Sequence, residues 1–283
     1  MTSSGVCLSN DGQLLYVAQR RNGFIEVLSV LDGSHVQRIF IFDDDFKPDK
    51  VFMSPTNELF VLDTHNHRIH VFDVDGNLRH IIGDGYAGED NGSQLEGEFS
   101  FPTGLCFSPD GRKVFVADGN GEKMNEPYRI QVFNNIGGSI TYSHKMNLRD
   151  IQNIQIDCLC ISHDGQTLFV SDSVNNFVHV FEIGEYDLIH NRMFGEGGAR
   201  QFAMHHISMC LSRSGEFLFI NGDKNRSIQM LNVLNGARVQ TFGTRAAAQV
   251  GPGQFGYIRD ICVSHEGTEL FAACDGRIEV FRV

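Results

Sequence analysis

One pattern returns six times along the chain, and it limits the fold more than any other feature. An apolar run ending in Ser is followed by a polar turn, a second apolar run, a polar break and a third run. The copies open with Gly5-Val6-Cys7-Leu8-Ser9, Val51-Phe52-Met53-Ser54, Leu105-Cys106-Phe107-Ser108, Leu159-Cys160-Ile161-Ser162, Met209-Cys210-Leu211-Ser212 and Ile261-Cys262-Val263-Ser264, a period of about fifty residues. A unit this short cannot bury its apolar face alone, so like units must pack on one another. Turns such as Asn10-Asp11-Gly12, Pro109-Asp110-Gly111 and His163-Asp164-Gly165 join apolar runs as hairpin turns do. The third runs, for example Arg129-Ile130-Gln131-Val132-Phe133 and Phe177-Val178-His179-Val180-Phe181, alternate apolar and polar residues like strands with one buried face. A more polar fourth run follows in most copies, as in Val36-Gln37-Arg38-Ile39-Phe40 and Val239-Gln240-Thr241-Phe242.

Four antiparallel strands repeated six times predict an all-β, six-bladed propeller occupying residues 1–283 as a single domain. The blades fall at about 4–42, 48–83, 101–146, 156–195, 206–243 and 258–283. No long segment has the 3.6-residue period of a helix, which removes α-solenoids. Residues 85–100 and 244–256 read as connections, because the repeat resumes after each. Blade 6 has the short connection Cys274-Asp275-Gly276 and stops at Val283 after three strands. The expectation is a fragment or an incomplete last blade, with the ring closed by side-chain packing.

Phe60-Val61-Leu62-Asp63-Thr64-His65-Asn66-His67-Arg68-Ile69-His70-Val71-Phe72 resembles the core of the NHL repeat. So does Phe115-Val116-Ala117-Asp118 with Tyr128-Arg129-Ile130-Gln131-Val132-Phe133, and Gly251-Pro252-Gly253-Gln254-Phe255-Gly256-Tyr257-Ile258-Arg259-Asp260-Ile261 is similar to the family's lead-in to a new blade. The resemblance implies an NHL-repeat propeller. It leaves activity open, since such propellers include protein-binding and RNA-binding modules, sensor domains and a zinc-dependent lyase.

With 23 Lys and Arg against 35 Asp and Glu, the net charge of −12 predicts neither a DNA partner nor an anionic membrane. No run approaches a membrane span, and the N-terminal MTSSGVCLSNDG does not read as a signal peptide, so the expected location is cytoplasmic or nuclear. Cys7, Cys106, Cys160, Cys210 and Cys262 share one repeat position with Phe52, the behaviour of a small apolar core residue. Cys158 and Cys160 lie two apart, but no second pair completes a metal or redox site, and Cys274 has no visible partner. Gly83-Asp84-Gly85-Tyr86-Ala87-Gly88 has dinucleotide-loop spacing, yet the acidic, turn-forming Glu89-Asp90-Asn91-Gly92-Ser93 follows where a helix is required, so it reads as a connector. His65-Asn66-His67 and His205-His206 come from two blades only, short of a converging metal site. No nucleophile elbow, P-loop or paired acids appear. The expectation is a non-enzyme without cofactor or metal.

In a propeller the loops between second and third strands share one face with the connections between blades. That face carries Arg20, Arg21, Lys224, Arg226, Arg245 and Arg259 over blades 5, 6 and 1, which adjoin in a closed ring. Over blades 1 to 3 it carries Asp43, Asp44, Asp45, Asp84, Glu89, Asp90, Glu96, Glu98, Glu122 and Glu126. The other face receives Asp11, Asp32, Asp73, Asp75, Asp110, Asp164, Glu216 and Glu266. The expected function is a scaffold binding a protein or peptide through the six basic residues. Two alternatives remain: RNA bound at the same patch, and a metal-dependent lyase or lactonase working in the central channel.

Overall fold

The computed structural model describes the chain except residues 1–2, 44, 87–97, 120–127, 147, 149–150, 152–153, 196–206, 223–226, 246–253, 256 and 275. For residues 222, 244–245 and 254–255 it describes the backbone only. Six antiparallel sheets form the propeller. Blade 1 consists of Gly5–Leu8, Leu14–Gln19, Phe24–Ser29 and His35–Ile39, and blade 2 of Lys50–Met53, Leu59–Asp63, Arg68–Phe72 and Leu78–Ile82. Blade 3 has Pro102–Phe107, Lys113–Asp118, Arg129–Ile136 and Ser139–Met146; blade 4 has Leu159–Ile161, Thr167–Asp172, Phe177–Ile183 and Leu188–Phe194. Blade 5 has Met209–Leu211, Phe217–Gly222, Ser227–Asn232 and Arg238–Phe242, whereas blade 6 has Ile258–Val263, Glu269–Cys274 and Arg277–Arg282 alone. A short parallel pair, Thr244–Arg245 with Gln254–Phe255, lies between blades 5 and 6 and has no counterpart in the repeat pattern. No described helix is long and apolar enough to cross a membrane.

The turn chemistry explains why the first two strands pair. In blade 1 the Ser9 carbonyl accepts the Gly12 N–H at 2.9 Å, while the Ser9 hydroxyl donates to Asp11 at 2.5 Å and accepts the Leu14 N–H at 2.9 Å. Asp110 and Asp164 take the same hydroxyl bond from Ser108 and Ser162. Gly165 adopts φ +73° at the turn's last position, and blade 2 puts Asn57 there at φ 62°, a left-handed conformation that Asn tolerates.

Each of the five complete blades shifts register between its third and fourth strands, for example between Val132 and Phe133 and between Val180 and Phe181. Such bulges add twist. The fourth strand then ends in a buried Ile39, Ile82, Met146, Phe194 or Phe242, although most of its length is polar and exposed.

The core lies between blades. Cys7, Tyr16, Ile25 and Val27 of blade 1 pack on Val51, Leu59, Val61 and Phe72 of blade 2. Comparable clusters join blades 2 to 3, 3 to 4, 4 to 5 and 5 to 6. All seven cysteines are free, and the five at the repeat position face these clusters. Burial raises the pKa of each, which keeps them as inert thiols.

Blade 6 meets blade 1 through a smaller cluster: Val6, Leu15, Val17, Phe271 and Ala273, five buried residues against nine to thirteen elsewhere among the described residues. Two hydrogen bonds add to it, Ser3 Oγ to the Cys274 carbonyl at 2.7 Å and the Val6 N–H to Asp260 Oδ2 at 2.9 Å. The ring closes by packing rather than by a blade shared between its two ends.

Candidate interaction surfaces and the channel

Arg20 and Arg21 sit in the 3-10 turn Arg20–Asn22 that joins the second and third strands of blade 1. Arg20 is largely committed: its Nε lies 2.9 Å from Asp49 Oδ1, and its Nη2 donates to a ring nitrogen of His65 at 2.9 Å. Because Asp49 leads into blade 2, this pair confirms that inter-blade connections and second-to-third-strand loops share a face. Arg21 is exposed and forms no ion pair with a described residue. Arg259 is also exposed, with its guanidinium 5.9 Å from the ring centre of Tyr257. Arg245 lies in the parallel pair, where only its backbone is described, and Lys224 and Arg226 lie outside the described residues. Of the predicted basic patch, Arg20 and Arg21 thus lie in blade 1, with Arg20 turned toward blade 2, and Arg259 lies near the start of the inner strand of blade 6.

On the acidic sector, Asp44, Glu89, Asp90, Glu96, Glu122 and Glu126 lie outside the described residues. Asp43 is 3.5 Å from Arg68 Nη1 and Asp45 is 3.8 Å from Lys47 Nζ. Arg68 also donates to the Asp84 carbonyl at 3.4 Å, and Arg129 donates to the Glu98 carbonyl at 2.9 Å. Sequence reasoning counted these acids without Arg68, Lys47 or Arg129, because the contacts form between residues 2 to 31 positions apart that share no repeat position. His65 and His67 are also spoken for: His65 faces Arg20 and Asp49, and His67 Nδ1 is 2.5 Å from the Ser100 carbonyl. His205-His206 lie outside the described residues.

The axis is lined by the residue two before each repeat-position cysteine or Phe52, namely Gly5, Lys50, Gly104, Cys158, Ser208 and Asp260. The inner strands approach so closely that a Cβ on Gly5 would lie 2.6 Å from the Lys50 Cα, and one on Gly104 3.1 Å from the Cys158 Cα. Lys50 of blade 2 reaches across the axis and donates from Nζ to the Asp157 carbonyl of blade 4 at 2.7 Å. Asp260 accepts from the Val6 and Ile261 amides and from the Ser208 hydroxyl. Burial raises the Asp260 pKa, and Lys50 together with those donors opposes the rise. Asp157, Ser208 and Asp260 are at most 6% exposed, so the belt nearly seals the channel at this level. Among the described residues no three His, Cys, Asp or Glu side chains group closely enough to hold a metal ion.

Comparison with known proteins agrees with this architecture. The NHL repeat family model matches residues 47–72, which run from the connection before blade 2 through its third strand. Together with the six-bladed ring, the match supports an NHL-repeat propeller. No curated protein matches the sequence. Among solved structures, the β-propeller domain of Cps50 (Swd1) from Myceliophteria thermophila is similar with a TM-score of 0.68 at 13% identity, over 99% of this chain and 97% of that one. Hydrazine synthase from Kuenenia stuttgartiensis is similar with a TM-score of 0.65 at 13% identity, over 99% of this chain and 83% of that one. At this identity both show the fold alone.

Proposed function

We propose that this NHL-repeat propeller is a non-catalytic interaction scaffold that takes an acidic protein or peptide segment on the face of its second-to-third-strand loops, over blades 5, 6 and 1. One observation carries the reading. Arginines toward blades 2 and 3 are neutralised by carboxylates, Arg20 by Asp49, Arg68 by Asp43 and Arg129 by Asp118, whereas Arg21 of blade 1 remains exposed and unpaired among the described residues. Arg259, exposed above Tyr257, supplies a cation next to an aromatic ring, a pairing suited to a partner that carries both charge and apolar surface. Lys224, Arg226 and Arg245 join the proposal through their loop positions. The free cysteines fit a reducing compartment.

The test is an acidic peptide selected from a display library against the wild-type chain, with binding kinetics compared for the Arg21→Glu, Arg226→Glu, Arg259→Glu triple variant. Exposed rim charges steer encounter, so association should slow roughly tenfold at low salt with little change in dissociation. Added salt should erase most of the difference, because such charges are screened over ~8 Å at physiological ionic strength. Unchanged affinity and on-rate in the triple variant would refute this face. Binding of a single-stranded RNA whose log affinity falls by roughly 0.7 per phosphate contact with log salt would replace the peptide by RNA.

A further inference from the structure

The opposite end of the axis holds a different site. The first residue of each turn between the inner and second strands forms a ring about the axis: Asn10, Pro55, Pro109, His163, Arg213 and His265. Neighbouring turns touch, with Asn10 Nδ2 donating to Asn57 Oδ1 and to the Ser54 carbonyl at 2.8 Å, and the site of a Gly215 Cβ 3.3 Å from His163 Nδ1. Five of the six ring residues, all but Pro109, line a cavity of about 490 Å³ together with Leu211 and Val263, the last residues of their inner strands. That volume lies in the range of small-molecule sites, ~300–1,000 Å³.

The rim is chemically one-sided. Blades 1 to 3 contribute an amide and two prolines, while blades 4 to 6 contribute His163, Arg213 and His265, all exposed and none in an ion pair or side-chain hydrogen bond with a described residue. The carboxylates on this face are mostly spent in their own turns. Asp11, Asp110 and Asp164 each accept a Ser hydroxyl at 2.5 to 2.6 Å, and those bonds hold their pKa values low. Blade 5 has Ser214 where those blades have Asp; the carboxylate of its turn is Glu216, three residues after Arg213, and the two form no ion pair. Glu266 does follow His265, but Ser264 does not donate to it. The Ser264 hydroxyl accepts from the Thr268 and Glu269 amides at 3.1 and 2.9 Å, and its own proton has no acceptor among the described residues.

We propose that this cup binds a small organic oxyanion, a carboxylate or phosphate group carried on a compact apolar body. Arg213 is the principal anion contact, since a guanidinium presents paired donors that match either group. His163 and His265 flank it as further donors, the Ser264 hydroxyl supplies an unspent proton, and Leu211 and Val263 cover the apolar body. The site is separate from the basic face proposed above and stands or falls without it.

Calorimetric and NMR titrations with phenyl phosphate, benzoate, inorganic phosphate and phenol test the assignment. Phenyl phosphate or benzoate should bind with a dissociation constant of about 1 mM or tighter, and whichever binds better identifies the preferred group. Inorganic phosphate, lacking the apolar body, and phenol, lacking the charge, should each bind at least about tenfold more weakly. The Arg213→Ala and Arg213→Gln variants, both at an exposed position, should keep the wild-type fold by circular dichroism and lose at least about tenfold in affinity. The proposal is overturned if neither organic anion binds the wild-type chain at about 10 mM, if phenol binds as well as phenyl phosphate, or if both Arg213 variants bind like wild type.

Discussion

Blades 2, 3 and 4 end their second strands with Asp63, Asp118 and Asp172, whereas blades 1, 5 and 6 place Gln19, Gly222 and Cys274 there. The acids gather the polar groups around them. Asp63 accepts from Asn66 Nδ2 and lies 3.4 Å from His70 Nε2; Asp172 accepts from the Val174 and Asn175 amides and the Asn175 side chain. Asp118 takes the Ser100 and Phe101 amides, Arg129 at 2.7 Å and Gln131 Nε2 at 3.1 Å. In blade 1 the buried Gln19 Oε1 has no partner, and the next residues are the Arg20 and Arg21 of the proposed binding face. The same backbone position thus consumes the cations and amides near it in blades 2 to 4, while in blade 1 Arg20 is taken by Asp49 and only Arg21 is left for another molecule.

The largest expected consequence is at Asp118. Asp118→Ala leaves the half-buried Arg129 and the buried Gln131 beside two unpaired amides, and should cost about 3–5 kcal/mol in urea unfolding. Gln19→Met removes an oxygen that already lacks a partner and should stay within about 1 kcal/mol of wild type. Equal losses in the two variants would break the contrast between the halves.

Cysteines at the shared repeat position should ignore that contrast. Cys106→Ser in blade 3 and Cys210→Ser in blade 5 each put a hydroxyl into an apolar cluster, and both should destabilise by about 1–3 kcal/mol. A loss confined to one blade would mean that the clusters differ more than their composition indicates.

The smallest effect is one of pH. Burial pushes the Asp172 pKa up, but His179 and Asn175 outweigh it and hold the carboxyl below its ordinary value; His190 lies beyond His179 at 3.2 Å. A lowered folded-state pKa gives stability that is present above the unfolded value of about 3.9 and lost as pH falls through the folded one. Asp260 has the opposite sign: burial raises its pKa against Lys50 and its hydrogen bonds, so its contribution is present below about 3.9 and lost as pH rises through the folded value. Unfolding free energies measured against pH should lose their acid slope at Asp172→Asn and their opposing slope at Asp260→Asn. Matching slope changes in the two variants would contradict the assignment.

The propeller was legible because its repeats are local: Ser-x-Asp-Gly turns, alternating third strands and a cysteine column recur at a fixed period. The three-stranded blade 6 was legible for the same reason, since the pattern stops after Arg277–Arg282. Interactions between distant segments were not. Lys50 reaches Asp157 over 107 residues, Arg68 neutralises Asp43, and Phe46 and Phe99 are buried from connections that carry no repeat signal. The oxyanion cup had a usable signal. Reading the first turn residue of each repeat as one column gives Asn10, Pro55, Pro109, His163, Arg213 and His265, but along the chain these are isolated loop residues.

The seam between blades 6 and 1 also orders events in time. Its hydrogen bonds join residues 254 and 271 positions apart, whereas other neighbouring blades meet over about fifty. Loop-closure entropy grows with the logarithm of that separation, which adds about 1.5 kcal/mol to bringing the two ends together. With the fewest buried apolar residues among the six inter-blade clusters of the described residues to offset it, this is where an open, curved stack of blades is expected to become a ring last on folding, and where the ring should part first. Arg21 belongs to blade 1 and Arg259 to blade 6, so a ligand gripping both would act as a clasp on the closed form.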